Sequence, residues 1–201
     1  MIPELVDVAG APVLVWRCPT PWLALSSGTL GGGWGERRWV VNATVPNGYD
    51  RLDPDAHLAE IAAAAGLEPG VGMGFLTAVD VREVVHRADG GVAVSVTTGI
   101  GAHPTWAAGP AAAHEPVGTI NAVCWLPVRL SPAALVNAVA TVAEAKAQAL
   151  LEAGVPGTGT PTDAVAVLCP LDGPAEPFGG PRSTIGGALA RAVHGAVRAA
   201  L

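Results

Sequence analysis

Lysine is nearly missing from this 201-residue chain: of 11 basic residues, ten are arginine and one, Lys146, is lysine. Charge of either sign is sparse, at 14% of residues, and 17 acidic groups leave a net charge of -6. The arginines are scattered apart from the pair Arg37-Arg38, so no basic stripe marks a nucleic-acid partner. Cysteine is limited to Cys18, Cys124 and Cys169, odd in number and far apart, without C-x-x-C or histidine at ligand spacing. They read as small apolar residues of a reducing cytoplasm, not as disulfides or a zinc site. Long apolar runs are lacking too. The longest segment without Asp, Glu, Lys or Arg, Gly90–His114, is broken by Gly99, Gly101, Pro104 and Pro110, so no membrane helix is expected. The start, Met1-Ile2-Pro3-Glu4, has neither basic region nor apolar core, and predicts no export.

What is abundant is apolar and turn-forming: 50% hydrophobic residues, 26 Gly and 18 Pro. That apolar half excludes a disordered chain, and the length suits one domain burying roughly 70% of its unfolded surface.

The first fifty residues read as short strands. Ala11–Arg17 and Trp22–Ser26 pattern as two strands of a hairpin, then a Gly-rich loop over Gly28–Gly35, then a β-branched run over Arg37–Val45. Asp53-Pro54 opens a helix that Gly66 closes. Strand signals return at Val71–Asp80, Val81–Arg87, Val92–Thr98 and Val117–Pro127, with Asp89-Gly90-Gly91 as a hairpin turn. Ser131-Pro132 opens the clearest helix, running to Gly154. Gly157–Thr162 is a loop, Ala164–Cys169 a buried strand and Thr184–Leu201 a last helix. Runs of strands with helices between predict an α+β fold over 1–201: a single layered domain whose mixed, largely antiparallel sheet is packed by about three helices.

At about 100° per residue, the long helix puts Lys146 about 20° from Leu135, amid the apolar stripe of Val139, Val142 and Leu150. Glu144 falls about 180° away, with Asn137, Thr141 and Gln148. A lysine in that stripe must snorkel, pair with a carboxylate or lose its proton. The helix feeds the loop Gly157-Thr158-Gly159-Thr160-Pro161-Thr162-Asp163, so a Lys146–Asp163 contact is the expected pairing. Hydroxyls, backbone N–H groups and one carboxylate in this loop suit holding an oxyanion and activating water. It lacks the Lys-Ser/Thr of a phosphate loop and is equally well read as a plain turn. Ser26 and Ser27 have no nucleophile-elbow context. Trp34 and Trp106, on loops, suggest walls for a broad planar ligand. His103 and His114 flank the loop Gly99–Pro116, and a zinc site there is the minority reading.

Taken in order, several short motifs resemble one family. They are Leu25-Ser26-Ser27-Gly28 with Gly31-Gly32-Gly33, Arg38-Trp39-Val40-Val41-Asn42, Val45-Pro46-Asn47-Gly48-Tyr49-Asp50 and Gly72 through Asp80. Gly118-Thr119-Ile120-Asn121, Ala138 through Lys146, Thr158 through Asp163 and Gly179 through Gly186 follow. The series resembles the adenosylcobinamide amidohydrolase family from about Trp22 onward. The chain departs from that pattern near His103, where the family carries Asn.

The resemblance implies a cytoplasmic corrinoid-salvage enzyme. It would hydrolyse the amide joining aminopropanol to the corrin ring of adenosylcobinamide, giving adenosylcobyric acid, with no resident cofactor or metal. Combined with the residue chemistry, it makes Asp163 the general base toward water or the Thr162 hydroxyl, with Lys146 tuning it or protonating the leaving amine. Glu144 joins this candidate catalytic set. Asn42 and Asn121 would hold the oxyanion, and Thr119, Thr158, Thr160, Ser26, Ser27, Trp34 and Trp106 would line the substrate. The partner is a small-molecule corrinoid, with no nucleic acid and no membrane; a homo-oligomer is left open. The rival readings are a non-catalytic corrinoid-binding protein and a zinc-dependent amidase of another small substrate.

Overall fold

The computed structural model describes residues 1–101, 104–109 and 118–201. His103, His114 and half of the expected loop Gly99–Pro116 lie outside the described residues. Among the described residues there are three α-helices and eight strands, and the strands form one open sheet in the order β4-β3-β2-β8-β7-β6-β5, with β1 added beside β2. In chain order these are β1 (Glu4–Val8), β2 (Ala11–Ser26), β3 (Gly33–Thr44), α1 (Pro54–Ala64), β4 (Gly72–Thr77), β5 (Val85–Asp89) and β6 (Val92–Gly99). They are followed by β7 (Thr119–Trp125), α2 (Pro132–Glu152), β8 (Ala164–Cys169) and α3 (Thr184–Ala199). Two neighbours are parallel, β3 with β4 and β7 with β8, and each is joined through a helix, as parallel pairing demands. The other pairs are antiparallel, so the sheet is mixed and largely antiparallel as the sequence predicts.

Alternation along the strands separates two faces. Val13, Val15, Trp39 and Val41 pack on Leu58 and Ile61 of α1. On the same outer face, the β6–β8 half packs on α2 and α3 through Val94, Ile120, Val167, Leu135 and Leu189. The inner face holds Leu14, Trp16, Val40, Phe75, Val123, Trp125 and Leu168. The sheet therefore curls with its helices outside and closes on its own inner side chains. Asn42 of β3 touches Asn121 of β7, although β2 and β8 lie between them in the sheet.

Three local expectations are corrected. Ala11–Ser26 is one continuous strand, not two arms of a hairpin. Pro19 and Pro21 cannot supply ladder N–H groups, so pairing with β3 slips between Arg17 and Trp22 while the chain stays extended. Val81–Glu83 is a 3-10 turn, because Asp80 accepts a hydrogen bond from Arg82 N at 3.0 Å and caps it before β5 begins. Thr141, expected on the polar side of α2, is buried and donates to the Gly179 carbonyl at 2.9 Å, so α2 is covered on two sides. The Gly179–Gly186 motif is a packing device: Ser183 caps α3, and Gly186 lies so close to the Gly179 and Gly180 carbonyls that no side chain fits there. Among the described residues no helix is long and apolar enough to cross a membrane.

Candidate active site

The loop before β8 folds onto the start of β7, and its neighbours Thr162 and Asp163 face opposite sides of the sheet. Asp163 points to the helix side. Its Oδ1 accepts from Ile120 N at 2.9 Å and from the Thr160 hydroxyl; its Oδ2 accepts from Thr160 N at 3.1 Å and from Lys146 Nζ. The expected Lys146–Asp163 pair forms, with side chains only 18% and 15% exposed. Gly159 passes so close to both that a Cβ would collide with them. The pair opens onto a cavity of about 110 Å³ between α2, α3 and the sheet, otherwise apolar, lined by Ile120, Val139, Val142, Val165 and Val197 among others. A carboxylate holding four donors is a fastening point between the loop, β7 and α2.

A larger cavity, about 600 Å³, opens on the inner side of the same strands. Thr119, Asn121 and Thr162 line it, together with Thr29, Thr77, Phe75 and the Val45–Tyr49 segment. Thr119 and Thr162 hydroxyls are hydrogen-bonded at 2.7 Å, and Thr162 also donates to the Gly118 carbonyl at 2.9 Å. Asn121 is 1% exposed and donates twice through Nδ2, to Asn42 Oδ1 and to the Leu76 carbonyl, both at 3.0 Å. Asn42 in turn donates to Thr97 Oγ1 at 2.9 Å. This network spends every donor of Asn121 and leaves its Oδ1 with no partner. A buried acceptor in a cavity wall, without a partner from the protein, suits an N–H or O–H from a ligand.

The structure thus divides the expected site residues. Thr119, Asn121 and Thr162 come together on the large cavity, with Asn42 directly behind Asn121. Lys146, Asp163 and Thr160 come together behind the sheet. Glu144 is exposed on the far side of α2 and joins neither group. Ser26 accepts from Gly28 N at 2.9 Å and Ser27 from Val165 N at 3.0 Å, so both shape the turn after β2. Thr158 accepts from Ala107 N at 3.2 Å, tying its loop to the segment that carries Trp106. Trp34 and Trp106 are about half exposed, at 47% and 51%, and line neither cavity. Among the described residues no three His, Cys, Asp or Glu side chains converge.

One pair escaped the sequence reading. Tyr49 lines the large cavity, and its hydroxyl meets His57 Nδ1 at 2.9 Å, the rings stacked with centroids 5.5 Å apart and 14° between planes. The available signal was that Tyr49 is the only tyrosine and that His57 follows it in the first turn of the next helix.

The sequence matches the family described as Adenosylcobinamide amidohydrolase over residues 3–201. It is 36% identical to an adenosylcobinamide amidohydrolase of Halobacterium salinarum, with 88% of this chain and 79% of that protein covered. It is 32% identical to an adenosylcobinamide amidohydrolase of Methanosarcina mazei, with 89% of each covered.

Proposed function

The chain belongs to the adenosylcobinamide amidohydrolase family, and from that premise we propose that it hydrolyses the amide joining aminopropanol to the corrin of adenosylcobinamide. The products are adenosylcobyric acid and aminopropanol, a step of corrinoid salvage. Cavities of about 600 Å³ enclose drug-sized ligands, and a corrinoid with its adenosyl group is larger than that. The macrocycle therefore rests at the mouth and the amide-bearing arm enters.

The observation that carries this reading is the unpartnered Asn121 Oδ1, which takes an amide N–H of the substrate. Thr119 supplies a donor to the amide carbonyl: the Gly118 carbonyl already receives the Thr162 proton, so the Thr119 proton is free to turn from Thr162 to the substrate. The four-donor environment of Asp163 supports a positioning role for it and for Lys146. They hold the Thr160–Thr162 loop and the first residues of β7 from behind, instead of taking a proton from water. Three buried free cysteines support a reducing cytoplasm as the place of action. The net charge of -6 is compatible with a cationic corrinoid, although steering at that charge is weak.

Incubation of the purified protein with adenosylcobinamide, with the corrinoid followed by mass spectrometry, is the test. The expected result is conversion to adenosylcobyric acid with release of aminopropanol. Corrinoid bound at unchanged mass would establish a binding protein instead, and loss of turnover with a chelator would bring a metal into the mechanism.

A further inference from the structure

Amide hydrolysis needs one proton taken from the attacking water and one delivered to the leaving nitrogen. Threonine and asparagine dominate the polar lining of the large cavity and serve neither need near neutral pH. Among the described residues lining it, Tyr49 is the one titratable side chain. Its position is fixed from both ends. Tyr49 N donates to the Pro46 carbonyl at 3.1 Å in a tight turn, and Val45 N at the head of that turn donates to the Thr77 carbonyl at 2.8 Å, beside the cavity floor. His57 is held in the first turn of α1 by its own N–H on the Asp53 carbonyl at 3.0 Å.

We infer that Tyr49 and His57 form a proton relay for the hydrolysis, with Tyr49 facing the scissile amide and His57 Nδ1 behind it as the proton store. The inference rests on the amidohydrolase reading above. In the attack step the water oxygen bonds to the amide carbon. A water proton passes to Tyr49 Oη as the Tyr49 proton moves to His57 Nδ1, which becomes imidazolium. In the collapse step the C–N bond breaks, Nδ1 returns its proton to Oη, and the Oη proton goes to the departing nitrogen. Carboxylic acid and amine leave, and the pair is restored. Burial raises the Tyr49 hydroxyl above its ordinary value, Arg51 opposes this more weakly, and Asp53, Glu60 and Asp50 add to it, so it stays protonated and able to donate. Of these groups, Arg51 is paired with Asp53 and Glu60.

The test measures kcat, KM and the pH dependence of kcat for wild type, Tyr49→Phe and His57→Gln, with corrinoid binding followed by absorbance. The relay predicts a kcat loss of about 10²–10⁴ for Tyr49→Phe with binding within threefold of wild type. It predicts a smaller kcat loss for His57→Gln, with KM unchanged and the pH dependence of kcat altered because the group that stores the proton is gone. Thermal melting confirms that both variants fold. A Tyr49→Phe enzyme within threefold of the wild-type kcat, or one changed in KM alone, makes Tyr49 a wall and overturns the relay while the hydrolase reading stands. A wild type that leaves adenosylcobinamide intact overturns both.

Discussion

Thr162 and Asp163 are adjacent in the chain and serve opposite faces of the sheet. Thr162 lines the 600 Å³ inner cavity, while Asp163 lines the small outer cavity with Lys146. Thr162 lies in the turn before β8, and Asp163 stands just ahead of the first residue of that strand. The polar loop is thereby divided into a surface that lines the inner cavity and an anchor that holds that surface still.

The anchor is expected to act as a unit. Lys146→Met strands a largely buried carboxylate and Asp163→Asn a largely buried ammonium, each destabilising by about 1–3 kcal/mol. Chemical denaturation should show the double variant less destabilised than the sum, with a coupling of at least about 0.5 kcal/mol. Simple additivity would mean that the ion pair holds nothing. Because the pair positions the loop and takes no proton from water, turnover in each single variant is expected to fall with the fold retained, and near-wild-type rates would show that the cavity wall does not depend on this anchor.

Gly159→Ala tests the same anchor without removing a charge. The new methyl group meets Lys146 Nζ and the Asp163 carboxylate, so the pair must part or the loop must shift. Overpacking of this kind costs about 1–3 kcal/mol. For a chain of this length that is a melting temperature lower by roughly 2–12 °C. An unchanged melting temperature would show that the loop yields freely.

Asn42 and Asn121 should separate by readout. Asn121→Leu removes the free acceptor and should raise KM for the corrinoid about tenfold, the worth of a well-placed hydrogen bond at about 1.4 kcal/mol. Asn42→Leu leaves Asn121 and Thr97 without their partner behind the wall. It should appear first as about 1–3 kcal/mol of lost stability in denaturant titration. Equal KM effects in both variants would argue against a direct contact from Asn121.

The cysteines should be silent to thiol reagents. Burial pushes the Cys18 thiol up to about 11 and raises Cys124 and Cys169 as well. Thiolate is the reactive form, so at pH 8 the folded protein should label slowly at all three and rapidly once denaturant is added. Fast labelling of any one in the native state would show local opening at that strand or helix contact.

Much of the fold was legible because its elements carry local signals. Ser131-Pro132 and Ser183 cap helices, Asp89-Gly90-Gly91 turns a hairpin, and the apolar runs of β6 to β8 match strand length. The errors fell where a local signal met a longer-range one. Pro19 and Pro21 read as a break, yet the partners on both sides keep β2 extended, and Thr141 read as solvent-facing until the distant Gly179 segment covered it.

For the site, the sequence alone determined that one lysine lies in an apolar helical stripe next to one polar loop ending in Asp163. A lone charge there has few ways to be satisfied, and the ion pair followed. Only the tertiary structure decided which face each polar residue serves. The curl of the sheet brings Asn42 onto Asn121 across two strands, leaves the buried Asn121 Oδ1 without a partner from the protein, and sets Tyr49 in the cavity wall with His57 behind it. No spacing in the chain encodes contacts made by bending a sheet back on itself, because they depend on the sum of many small strand twists rather than on any one segment.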